Sequence, residues 1–213
     1  MGANGMKFKP GDPIDCDLCI ALKHEFLRCE DAFKDCEAYA RKTAASTSQN
    51  ESLLIAYKAY NAYSRFIHHL YEFMLGAIAR EIGDTKELEA TEAERYIRGH
   101  AQRILTGRRN AIQKGTAPVW ENDISYYPEK LPSGFAKEFR QFRNQSFGHV
   151  THKRSNASMS EFYEKYHKYV HMLYWNCRGS WGQRGEKFPD LKEITKFSFL
   201  IKTSPPRMGT SDE

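Results

Sequence analysis

Long hydrophobic runs are missing from this chain of 213 residues. The longest, Phe73 to Ala79, falls well short of the roughly 18 apolar residues that a membrane-spanning helix needs, so no membrane span is expected. Glycine (14) and proline (8) are too few for a collagen-like or low-complexity chain. Cysteine is scarce and odd in number, at 5, which fits a reducing compartment better than a disulfide framework. Neither sign of charge dominates: 32 Lys and Arg face 27 Asp and Glu, a net charge of +5. A block of like charge that would mark a nucleic-acid-binding arm is absent, although a mildly basic chain tolerates an anionic partner such as RNA. Met1 to Ile14 holds Lys7, Lys9, Pro10, Gly11 and Pro13 instead of the apolar core of a signal peptide, so the expected location is cytoplasmic.

What the chain does have is helical periodicity. From Ile14 to about Ala45, apolar residues recur at Leu18, Leu22, Phe26, Cys29, Phe33, Cys36 and Ala40, in steps of three and four. Asp12 and Pro13 suit the N-cap and first turn of that helix. Thr43 to Asn50 reads as a loop. A second helix, Ser52 to Ile82, carries two apolar lines, one through Ile67, Tyr71 and Met74 and one through Phe66, Leu70 and Phe73, so it belongs at the centre of a bundle. Gly83-Asp84 should end it. Thr91 and Glu94 form a capping box for a third helix reaching about Lys114, whose polar face carries Arg95, Arg98, Arg103, Arg108 and Arg109.

Gly115 to Gly134 is a long Pro/Gly connection in which Trp120, Tyr126 and Tyr127 argue for packing. Ser133 is placed to cap a fourth helix, Phe135 to about Phe147, and Ser158 or Ser160 opens a fifth, closed by Gly179, Gly182 and Gly185. Lys196 to Ile201 reads as a short strand or a last turn packed on the bundle. The expected architecture is therefore all-α: an up-and-down antiparallel bundle of about five helices with a long Pro/Gly loop before the fourth. A flexible arm over 1–13 and a frayed tail over 203–213 flank one domain over 14–202.

Several residue sets invite chemistry. Cys16, Cys19, Cys29 and Cys36 are spaced like metal ligands, but Cys29 and Cys36 lie about two turns apart on one helix and cannot converge on one ion. They read as buried, hydrophobe-like cysteines. His68 with Glu72, and His167 with His171, are i, i+4 pairs that supply two metal ligands each. Brought together across two helices they would form a small-ligand or metal site; otherwise they are polar helix pairs. Phosphate-binding glycine loops and the hydrolase nucleophile elbow are absent, and no cofactor or metal is expected.

The informative stretch is Phe139 to Lys153, FRQFRNQSFGHVTHK. Arg143 and Asn144 sit near a helix end, with His149 six residues after Arg143. A guanidinium is a forked phosphate donor, and an imidazole moves protons at neutral pH. These are the parts for metal-free RNA cleavage by the adjacent 2′-hydroxyl. The alternative is that His149 merely caps the helix end. Arg95 and His100 match the same spacing without the following Asn.

Arg143-Asn144-Gln-Ser-Phe-Gly-His149 resembles the HEPN superfamily (higher eukaryotes and prokaryotes nucleotide-binding domain), whose signature is Arg, four to six residues, then His, often with Asn or Asp directly after the Arg. Phe147 before Gly148-His149 is similar to the small bacterial members. The likeness in sequence is confined to about a dozen residues. It implies an up-and-down helical bundle and a homodimer, or a related chain, with two Arg/His pairs facing across a cleft. It also implies a metal-independent endoribonuclease of toxin–antitoxin, abortive-infection or other phage-defence systems, with Arg143, Asn144 and His149 catalytic, RNA as substrate, and an antitoxin or defence protein as partner. Other members are non-catalytic binding or dimerisation modules. The family often adds a polar residue from an earlier helix, for which Glu72, His68 and Tyr57 are the candidates.

Overall fold

The computed structural model describes residues 5–45, 49–147, 158–182 and 192–203. Among them are six α-helices: α1 (Pro13–Ala45), α2 (Gln49–Ile82), α3 (Ala90–Gln113), α4 (Phe135–Phe147), α5 (Met159–Cys177) and α6 (Lys192–Thr203). The fold is an all-α bundle. None of the described helices is long and apolar enough to cross a membrane.

The two long helices pair antiparallel. Asp15 meets Arg80, Glu25 meets His69, the Cys29 thiol reaches the Phe66 carbonyl, and Asp35 meets Arg65, so one partner number rises as the other falls. The approach is close at Gly76, where a Cβ would stand 2.8 Å from Leu22 Cδ2. Helix α5 closes the other side of the pair. Phe26, Phe33, Phe66 and Tyr174 form one aromatic knot, with Phe73 edge-on to Phe26 at 5.4 Å. Helices α4 and α5 also run antiparallel: Glu138 faces Tyr166, and Phe142 stacks on Phe162 at 4.6 Å. Helix α3 adds Ile97, Ala101 and Leu105 to the same core.

The segment before α1 is not a free arm over its described part. Phe8 is buried and its N–H donates to the Gly83 carbonyl at 3.0 Å, while the Thr85 N–H donates to Met6 at 3.1 Å. Gly83 can end α2 here because it adopts φ +69°, which a side chain disfavours. Asp12 precedes α1, but its carboxylate turns back to accept from the Lys9 N–H. Asp15, buried in the first turn, accepts instead from the Gly11 N–H and from Arg80. The Arg80 hydrogen bond first, then the Gly11 N–H, hold the Asp15 carboxyl below the ordinary carboxylate range.

Other local expectations differ from the structure. The Thr91–Glu94 capping box does not form: α3 starts one residue before Thr91, at Ala90, with Glu89 as an N-cap that makes no side-chain bond. Ser158 does cap α5, accepting from the Glu161 N–H at 3.2 Å. In the 114–134 connection, Gln102 pins the chain at both the Glu129 carbonyl and the Leu131 N–H. Tyr127 is half-buried and bonds Glu121, but Trp120 is 88% exposed and stands largely in solvent. Lys196 to Ile201 is neither strand nor packed turn. It lies within α6, whose Phe197, Phe199 and Leu200 are all exposed. The spacing misleads there because KFSFLI alternates over only a few residues, a window too short to separate strand from helix.

Two substitutions test this core. Phe26→Ala should cost about 3–5 kcal/mol and lower the thermal midpoint by roughly 6–20 °C. Trp120→Ala should leave the midpoint within about 2 °C. Thermal unfolding followed by circular dichroism checks both; a mild Phe26→Ala would refute the packing described here.

Candidate active site

Arg143 lies on the last turns of α4 and leans onto α2. One guanidinium nitrogen contacts the Glu72 carboxylate closely, Nη1 donates to Asn144 Oδ1 at 2.8 Å, and the group lies 5.7 Å over the Tyr71 ring. Its Nε is buried without a hydrogen-bond partner among the described residues. Asn144 is exposed beside it. His149 falls in 148–157, outside the described residues.

The heptad-like spacing of α2 sets the rest. His68 is one turn before Glu72 on the same face, and both line a cleft of about 340 Å³ between α1, α2 and α4, together with Arg143, His69, Glu25 and Arg28. Burial, opposed by Glu72 and reinforced by His69 and Arg143, holds the His68 imidazole below its ordinary pKa. His69 Nδ1 is 2.7 Å from Glu25 Oε1. Burial works to raise the Glu25 carboxyl, but the His69 hydrogen bond and the charges of His69 and Arg28 outweigh it, and the net shift is downward.

Of the three candidate helpers from an earlier helix, two reach Arg143. Glu72 pairs with it and His68 sits within its field. Tyr57 does not: it is exposed on α2, and eleven residues before His68 amount to about 16 Å along a helix. Residue-level reading missed Glu25 and the dyad it makes with His69. No periodic signal exists for it, since Glu25 merely flanks the apolar Phe26 and its partner lies 44 residues away.

The composite site of His68, Glu72, His167 and His171 is not assembled. His68 and Glu72 face the α1/α4 cleft, whereas His167 bonds the Tyr63 hydroxyl at 3.1 Å and His171 accepts from Trp175 Nε1 at 2.6 Å, beside Phe33. Among the described residues no three His, Cys, Asp or Glu side chains are grouped to hold a metal. All five cysteines are free thiols, and burial pushes Cys36 up to about 11 and Cys177 up to about 12. Nor is the α3 face an open basic stripe. Arg95 pairs with Glu92, Arg103 with Glu81 and His100, Arg108 with Glu121, and Arg109 with Glu129. The second Arg/His match, Arg95 and His100, is thereby taken up in surface pairs away from the cleft.

Comparisons of the chain with protein-family models, with curated proteins and with solved structures find no match.

His167 generates a pH prediction. Burial, then His171, depresses its pKa from 6.5 to about 4. The unfolded chain therefore binds a proton that the folded one refuses, and stability falls as pH drops from about 6.5 towards 4. His167→Asn, which keeps an acceptor for Tyr63, should flatten that loss. Thermal midpoints of both proteins across this range check it; parallel curves would show that His167 is not the group responsible.

Proposed function

We propose that this chain is a HEPN-like, metal-independent endoribonuclease, acting in the cytoplasm as a dimer of up-and-down five-helix bundles whose cleft takes an RNA phosphodiester. The observation that carries the reading is Arg143: a guanidinium at a helix end, half-buried in a cleft, flanked by Asn144 and tied to a carboxylate from an earlier helix. A guanidinium so held is pre-set to neutralise the charge that develops on a pentacoordinate phosphorus. Arg143 steadies that charge, Asn144 orients the guanidinium, and His149 moves a proton. The 2′-oxygen attacks the adjacent phosphorus and the P–O5′ bond breaks, leaving a 2′,3′-cyclic phosphate and a 5′-hydroxyl. A chain of this kind suits phage defence or a toxin–antitoxin pair, with an antitoxin or defence protein as partner.

A second reading has its own support. Two of the three guanidinium nitrogens of Arg143 are already taken by Glu72 and Asn144, and most arginines of α3 are paired with acids. A surface so neutralised also suits a non-catalytic binding or dimerisation module of the same fold.

Turnover separates the two. The purified protein should cut RNA in EDTA and leave cyclic phosphate ends. Arg143→Ala and His149→Ala should each lower the rate by about 100-fold or more. A wild-type protein that dimerises yet never cuts RNA supports the binding module, and a His149→Ala protein as fast as wild type rules out the proposed proton transfer.

A further inference from the structure

We infer that His69, held by Glu25, is a general base of the cleft: the group that takes the 2′-hydroxyl proton of the RNA. The inference rests on the ribonuclease reading and adds to it a second imidazole, drawn from α2 instead of the α4 end.

The geometry is that of an oriented imidazole. Glu25 Oε1 lies 2.7 Å from His69 Nδ1. An ionised carboxylate only accepts, so Nδ1 carries a ring proton, and Nε2 is the nitrogen left to exchange a proton with a bound molecule. Nε2 makes no hydrogen bond with any described residue, and His69 lines the same cleft as Arg143. Both side chains of the dyad are about four-fifths buried, at 18% and 19% exposure, which keeps competing water low while leaving the ring within reach of a bound molecule. Glu25 is fixed in turn by Arg28, 3.4 Å from its second oxygen. Carboxylate and imidazole thus form a dyad at the wall of the cleft, the arrangement that activates a hydroxyl.

The charged and titratable groups facing His69 are His24, Glu25 and Arg28 from α1, His68 and Glu72 from α2, and Arg143 from α4. Burial holds both His68 and His24 below the ordinary imidazole pKa. The remaining carboxylates and guanidinium groups balance two against two. In the step, His69 Nε2 takes the 2′-hydroxyl proton as the O2′–P bond forms and the P–O5′ bond breaks. The departing 5′-oxygen takes a proton from water, and solvent exchange resets the His69 ring. Glu25 touches no substrate atom and is a positioning residue.

The test measures kcat and KM of the full-length protein on an RNA oligonucleotide in EDTA, with circular dichroism to verify that each variant folds. His69→Gln should lower kcat by about 100-fold or more. Its KM should stay close to that of wild type. Added imidazole should restore part of the rate to His69→Gly, and Glu25→Asp should retain more activity than Glu25→Gln. If His69→Gln turns over like wild type while Arg143→Ala is inactive, the inference fails and the ribonuclease reading stands. If the wild type cuts no RNA, both fail. Independently of turnover, 15N shifts of the His69 ring should show a proton on Nδ1 and a lone pair on Nε2. The opposite tautomer would overturn the assignment.

Discussion

The antiparallel contact of α1 with α2 is the constraint on which the rest depends. Leu22 rides against Gly76, which brings the two backbones close enough for Phe26 and Cys29 to enter the core beside Phe66 and Phe73. With that register set, Glu25 must lie opposite His69, because both sit one position off the buried stripe, on the side facing α4. A glycine and an apolar stripe thereby decide where two titratable groups meet. A side chain at Gly76 would push Leu22 away, and the carboxylate–imidazole pair would be among the first contacts to loosen.

The cleft also separates polar from apolar labour on α2. One face of that helix carries Phe66, Leu70 and Phe73 into the core, where burial alone stabilises the bundle. The adjoining face carries His68, His69 and Glu72, of which His69 pairs with α1 and Glu72 with α4. Burial next to charge is costly unless each group finds a partner, and here each carboxylate has a cation or an imidazole within reach. Two ion pairs that bridge α2 to its neighbours, Glu25–His69 and Glu72–Arg143, share one concave surface, where each charge is both sheltered and matched. The proposed chemistry uses that shelter, since an imidazole kept from bulk water and a guanidinium held in one orientation need no reorganisation when a phosphate arrives.

Elsewhere in the molecule the same rule yields no site. Four of the five arginines of α3, all but Arg98, meet acids on their own helix, on α2 and in the following connection, so most of that charge is spent locally. His167 and His171 are neutral members of an aromatic layer with Tyr63, Tyr163 and Trp175. Four histidines thus divide by surroundings: His68 and His69, beside carboxylates, line a cleft, and His167 and His171, beside rings, fill a wall.

Helix positions and core faces were legible in the chain itself, because a period of three to four residues is a local property. Leu22, Phe26, Cys29 and Phe33 on α1, and Ile67, Tyr71 and Met74 on α2, are buried as their spacing demands. Arg143 and Asn144 stood out for the same reason, as neighbours at a helix end. Local rules failed where local energies are small or compete: the Thr91 cap, the exposed Trp120, and the Lys196 to Ile201 segment, which alternates briefly yet lies in a helix. That Glu25 would face His69, that Glu72 and not Tyr57 would reach Arg143, and that His68 and His167 would point to different surroundings was decided only by tertiary structure. The physical reason is that a side chain's partner across a bundle depends on the axial offset and rotation between helices. Those are set by how many core residues interlock at once, and no short stretch of sequence contains that information.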